Sequence, residues 1–187
     1  TQYADKAISL LNAWARINER VSGADGDLVI CYAGVPLLFA ADLVWDYDGW
    51  QPGEREAFLK WVRQVFRASA ERIKRRPNNQ GAWGIFASIT AAYLLDDQPG
   101  ISTDTLLIRQ WLARSVASNG ELPRENRRTN SGLWYTYFAL APLTGAMQVA
   151  YNATGTDLFH YVTPNGRSVK QALDRFFVYC QHPDTWP

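Results

Sequence analysis

Cysteine, histidine and methionine are scarce in this 187-residue chain, with two, two and one of each. Cys31 and Cys180 allow at most one internal disulfide. They fall in no Cys or His cluster large enough for a metal-ligand pattern. An excess of either charge is missing as well. Nineteen Lys and Arg stand against 18 Asp and Glu, a net charge of +1, which argues against a general nucleic-acid binder. No stretch reaches 18 apolar residues without polar interruption, so no membrane span is expected. Strand alternation is absent, and no Asn-Gly or Asp-Gly pair sits between two alternating runs.

What is plentiful is aromatic: eight Trp, nine Tyr and eight Phe. Such rings suit a packed helical core and equally a sugar-binding cleft, and composition does not separate the two. At 47% apolar and 20% charged, the chain has the make-up of a folded protein. Its length fits one domain, residues 1–187, or part of a longer chain. Thr1 leads almost at once into a helical pattern, and His182 to Pro187 follow a helix directly. Both ends read as processed or cut, and Asn152-Ala153-Thr154 is a glycosylation sequon. The expectation is a secreted or periplasmic protein.

Helical periodicity runs nearly throughout. Ala7, Leu10, Leu11, Trp14 and Ile17 predict an amphipathic helix over 3–20. Residues 28–47 read as a buried helix that Pro36 either starts or kinks. Pro52 and Glu54 open a third helix with the stripe Phe58, Trp61, Val62, Val65, Phe66 and Ile73, ending in Arg72, Lys74, Arg75 and Arg76 before Pro77. A fourth covers about 80–95. Thr103 or Asp104 caps a fifth carrying Leu107, Ile108, Trp111 and Leu112. Residues 118–132 read as a polar loop, 133–152 as a sixth helix, and 168–180 as a seventh. Short connections imply antiparallel neighbours, in a compact bundle or in hairpins curved into a toroid.

Two polar segments interrupt these apolar helices. In Pro77-Asn78-Asn79-Gln80-Gly81-Ala82-Trp83, adjacent amides stand at a helix start. They serve either as an N-cap or as a donor cluster for an anion. In the second segment, Arg124, Arg127 and Arg128 lie among Glu121 and Glu125, and Tyr135 follows. A charge run of this kind is usually a solvated face. A tyrosine acts as a base only where its phenolate is populated, which near pH 7 asks about 4 kcal/mol of its surroundings. A neighbouring arginine favours that form.

Taken together, Asn78 and Asn79, then Leu122, Pro123, Glu125 and Arg128, then Tyr135, resemble the alginate lyase family of helical-toroid type. The opening Tyr3-Ala4-Asp5-Lys6-Ala7, with Leu11 and Trp14, is similar to that family's first helix, and the resemblance spans roughly residues 2–180. It implies an all-α, (α/α) toroid or incomplete toroid of antiparallel hairpins. It implies a polysaccharide lyase that cleaves 4-linked uronic acid polymers by β-elimination, with an acidic polysaccharide as partner and neither metal nor organic cofactor. By that resemblance Tyr135 is the base and acid. Arg128 binds the uronate carboxylate or favours the phenolate, and Asn79, helped by Gln80, neutralises the carboxylate. Asn78, Trp83, Arg124, Trp134 and Tyr137 are the candidate substrate-binding residues. The departure is Gln80, where mannuronate-cleaving members carry histidine; a glutamine donates to an anion but accepts no proton near neutral pH. His160 and His182, the only histidines, read as ordinary loop or helix-end residues.

One tyrosine serving as base and acid requires the C5 hydrogen and O4 to leave from the same face. That geometry favours mannuronan or glucuronan over guluronan. Two other classes compete. A glycoside hydrolase needs two carboxylates flanking the bond, from Asp96 with Asp97 or Glu121 with Glu125. A lyase-like module that binds uronan without cleaving it fits the Gln80 departure.

Overall fold

A computed structural model describes residues 2–186; Thr1 and Pro187 lie outside the described residues. The elements are α1 (Gln2–Ile17), α2 (Gly26–Leu43), α3 (Pro52–Trp61) and α4 (Arg67–Ile73), then α5 (Asn79–Leu94), α6 (Gln98–Ser115), α7 (Pro123–Asn126), α8 (Gly132–Thr154) and α9 (Val169–Gln181). Among the described residues there is no strand.

The long helices alternate between two layers. The starts of α2, α5 and α8 (Tyr32, Asn79 and Trp134) meet at one end of the molecule, around one cavity. Their far ends (Asp42, Leu94 and Asn152) meet at the other. These three helices therefore run parallel, with α5 seated between α2 and α8. Helices α3, α4 and α6 return between them in the outer layer, and α1 and α9 flank the two ends. The result is an arc of antiparallel hairpins, an incomplete toroid. Two apolar clusters fill it. One holds Leu11, Trp50, Phe58, Trp61 and Phe66, and the other Ile85, Ile108, Trp111, Leu140 and Met147. Helix α5 contributes to both, which is why it is apolar on every side.

Helix α2 is long and apolar enough to cross a membrane by length and composition. The sequence reading missed this because it counted only uninterrupted apolar runs, and Asp27 and Asp42 break this one. In the fold α2 packs on α4 and α5 and buries Cys31, Val35, Leu38 and Ala41. The helix continues through Pro36, which is exposed, so this proline does not start it.

Several boundaries differ from the sequence reading, each for a local reason. The third helix is divided by a π-helical turn at Val62–Phe66, which lets Trp61, Val62 and Phe66 all reach the core. Helix α6 starts earlier than Thr103. Asp97 caps it by accepting the Gly100 N–H at 3.0 Å, and Pro99 suits the first turn. Asp104 is not a cap but a core residue. It accepts from Lys74 Nζ at 2.8 Å, and Lys74, one of the basic residues at the end of the third helix, is buried with it. The polar loop 118–132 contains α7 and a 3₁₀ turn at Thr129–Ser131. Helix α8 ends at Gly155, whose φ of +71° is the left-handed stop that glycine adopts without strain.

Candidate active site

The crossing of α4 and α5 sets up the site. A Cβ at position 81 would lie 1.7 Å from the Arg76 carbonyl oxygen, so only glycine lets the start of α5 press against the turn that follows α4. That approach brings the Arg76 guanidinium onto the side-chain oxygen of Gln80, to which it donates.

Of the two roles that the sequence left open for the α5 start, a capped helix end or a donor cluster for an anion, the structure fills the second from within the chain. Glu125 of α7, 1% exposed, already occupies that start. Its Oε1 accepts the Asn79 backbone N–H at 2.7 Å, and its Oε2 accepts from Asn79 Nδ2 at 2.8 Å. A helix start attracts negative charge, and here the chain supplies that charge itself from 46 residues away. Asn78 stands at the capping position without a side-chain cap bond, and its carbonyl accepts from Trp111 Nε1 at 3.2 Å. Its own side-chain oxygen is buried without a partner.

Beside this anchor lies a cavity of about 460 Å³. It is lined by Asn79, Gln80, Arg128, Trp134 and Tyr135, together with Asp25, Leu28, Val29, Tyr32 and Phe138. The Arg128 guanidinium carbon sits 4.0 Å over the centre of the Tyr135 ring, and Arg128 Nε is 3.7 Å from Glu125 Oε2. Tyr135 is half-buried, and Trp134 meets it edge-on at 5.0 Å. Trp134 stacks on Phe138 at 4.7 Å and 17°, and Tyr32 meets Phe138 edge-on at 5.8 Å, forming an aromatic shelf along the cavity.

Five of the residues singled out from the sequence thus share this cavity: Asn79, Gln80, Arg128, Trp134 and Tyr135. Four others are not among its lining. Asn78 is the helix-start residue just described. Trp83 lies one layer behind the shelf, 5.9 Å from Tyr32 and 5.3 Å from Phe138. Arg124 is exposed on α7. Tyr137 is exposed two positions from Tyr135, which on a helix is the opposite side. Sequence reasoning passed over Asp25, Leu28, Val29, Tyr32 and Phe138. Only Tyr32 offered a signal, as a polar-tipped ring inside the apolar run of α2.

The family model for alginate lyase matches residues 1–186. The chain belongs to the alginate lyase family. Among solved structures, alginate lyase A1-III from Sphingomonas species A1 superposes with a TM-score of 0.83 at 20% identity, covering 97% of this chain and 53% of that one. A tyrosine-to-phenylalanine variant of A1-III complexed with tetrasaccharide gives 0.82 at 19% identity, covering 97% and 53%. An alginate lyase from Bacteroides ovatus gives 0.78 at 22% identity, covering 100% and 55%. The fold is therefore that of the alginate lyases, and the chain spans about half the length of these structures. No curated protein matches it.

Proposed function

We propose that this chain carries the β-elimination site of a polysaccharide lyase acting on 4-linked uronic acid polymers. The observation that carries the reading is the convergence of a phenol, a guanidinium and two amides on one cavity with an aromatic wall. Family membership and the likeness to lyases bound to a tetrasaccharide support it.

The chemistry follows from the substrate. The C5 proton of a uronate is weakly acidic because it lies α to the carboxylate. As the Tyr135 oxygen takes that proton, the C5–H electron pair passes onto the carboxylate as an enediolate. That pair becomes the C4=C5 double bond as the C4–O4 bond breaks, and the departing O4 receives a proton, which the phenol can return. Negative charge builds on the carboxylate oxygens as the proton leaves. Donors already fixed in place stabilise that charge without reorganising, and Arg128 and the amides at 79 and 80 have the right chemistry. The shelf of Trp134, Phe138 and Tyr32 offers stacking to sugar rings. A single phenol acting as base and acid favours mannuronan or glucuronan, in which H5 and O4 share a face. A polymer of this kind is met outside the cytoplasm, in keeping with a secreted or periplasmic protein.

A glycoside hydrolase fits less well. Asp25 is the one carboxylate lining the cavity among the described residues. Glu125 is engaged with Asn79, Glu121 accepts from the Tyr179 hydroxyl at 2.6 Å, and Asp97 caps α6. One observation favours binding without turnover. Gln80 stands where a proton acceptor is expected, and neither His160 nor His182 lines the cavity.

The test is an ultraviolet assay for the unsaturated product on polymannuronate, polyglucuronate and polyguluronate, with Tyr135→Phe alongside. The expected result is cleavage of the first or second, lowered at least about 100-fold in the variant with its melting temperature unchanged. Preferential cleavage of polyguluronate overturns the substrate assignment, and an active Tyr135→Phe overturns the base. Polymer binding without product selects the binding module.

A further inference from the structure

The two neighbouring amides of this site are held by partners of opposite charge. A guanidinium has only donors, so the atom of Gln80 facing Arg76 must be its oxygen. A carboxylate has only acceptors, so the atom of Asn79 facing Glu125 must be its nitrogen. The sense of each amide is fixed by chemistry rather than by choice of rotamer. Gln80 is left with both amide hydrogens free. Asn79 is left with its oxygen and a single hydrogen, and at 1% exposure it reaches the cavity less than the half-buried Gln80 does.

We propose that Arg76 and Glu125 are positioning residues that set these amides in opposite senses, so that Gln80 donates to the uronate carboxylate while Asn79 offers an acceptor to a sugar hydroxyl. The proposal rests on the uronan reading above, and it reverses the weight that the family resemblance gives to Asn79 and narrows the donors named in that reading to Arg128 and Gln80. It also gives the glutamine at position 80 a task in place of proton transfer. Its amide becomes a fixed donor beside Arg128, the one cation that lines the cavity among the described residues.

The experiment measures binding of a mannuronate tetrasaccharide by calorimetry to the wild type, Gln80→Met, Gln80→Glu and Arg76→Met, with a thermal melt of each. Gln80→Glu keeps the length of the side chain and can still receive Arg76, but it turns an acceptor toward the ligand's carboxylate. Gln80→Met removes the donor without adding repulsion. Arg76→Met leaves the Gln80 amide free to turn. The expected order of affinity is wild type, then Arg76→Met and Gln80→Met, then Gln80→Glu. The last should be weakened about 10- to 100-fold, the size of one hydrogen bond to a charged group, with melting unchanged. Equal weakening by Gln80→Met and Gln80→Glu overturns the assigned sense of the amide, because only the space would then matter. Gln80→Glu binding within about twofold of wild type overturns the donor role. Absence of binding by the wild-type protein overturns this assignment together with the uronan reading, whereas the first two results leave that reading standing.

Discussion

Removing Glu125 is the sharpest test of how the site is built. In Glu125→Ala the Asn79 N–H and Nδ2 lose acceptors that now stand at 2.7 and 2.8 Å, in a place shielded from water. Each buried donor left unpaired costs about 1 to 3 kcal/mol. Taking an anion away from the start of α5 adds up to about 2 kcal/mol. Against this stands the relief of no longer burying a carboxylate, which costs several kcal/mol in its own right. The balance is a loss of about 3 kcal/mol, or about 6 to 12 °C in melting temperature for a chain of this size. Glu125→Gln should fall between. Its oxygen serves one of the two donors, but its NH₂ then meets the other. Thermal unfolding followed by circular dichroism reads both variants. A shift below about 2 °C for Glu125→Ala would refute the claim that this carboxylate clamps α5, because water would then be serving the freed donors equally well.

Three further outcomes follow from named contacts. Lys74 and Asp104 are both buried, with Glu71 and Ser88 also on the ammonium. Asp104→Leu alone should therefore cost about 3 to 5 kcal/mol in denaturant unfolding, and adding Lys74→Met should restore most of it. No recovery in the double variant would mean that the pair is worth more than its desolvation. Burial pushes the Cys31 thiol up to about 12, while Cys180 is exposed and the two are unpaired. A thiol reagent at pH 8 should thus find one reactive cysteine in the native protein and two after denaturation; two fast-reacting thiols in the native state would contradict the packing of α2. The hydrogen bond from Arg72 holds the Asp27 carboxyl below the usual carboxylate range, and the Gly100 N–H, with Arg67, does the same for Asp97. Their contribution is complete above the unfolded value near 3.9 and is lost as pH falls through the lowered folded values, so melting temperature should drop below about pH 4. Asp27→Asn with Asp97→Asn should flatten that drop, and an unchanged acid slope would put its origin elsewhere.

The helices were legible in the sequence because their stripes are long and repeat at helical spacing, as with Leu11 and Trp14 on α1 or Val169 and Leu173 on α9. The start of the last helix at Ser168 was legible too, and there the Ser168 hydroxyl accepts the Gln171 N–H three residues on, a local event. What escaped was set by distant partners. Asp104 has the sequence context of a cap, yet Lys74, 30 residues away, draws it inside. Glu125 looks like a surface partner for nearby arginines, yet the unfilled N–H groups of α5 claim it. The π-turn at Val62–Phe66 answers a demand of the core that no short window contains. At the site, Arg128 and Tyr135 were marked by the resemblance of their stretch of chain to the alginate lyase pattern. Tyr32 gave no more than the hint of a polar-tipped ring, because its place at the cavity depends on α2 lying beside α5.

The placement of the cavity has a cause in the layer arrangement. Because α2, α5 and α8 run parallel, their three N-termini, each carrying roughly half a positive charge, open toward the same end of the arc. An acidic polymer would be drawn there whatever its sequence or linkage. The chain meets the α5 end with hydrogen bonds to Glu125, and a second carboxylate, Asp25, stands at the cap position of α2 without a side-chain cap bond. With a net charge of only +1, it adds little long-range pull. Attraction at this rim therefore rests on the few donors left uncommitted. Those are aimed rather than diffuse: the Arg128 guanidinium over the Tyr135 ring, and the Gln80 amide held by Arg76. A rim partly neutralised in this way is suited to distinguish the position of a single carboxylate from the general charge of a polyanion, and the proposed elimination, which removes the hydrogen next to that carboxylate, requires that distinction.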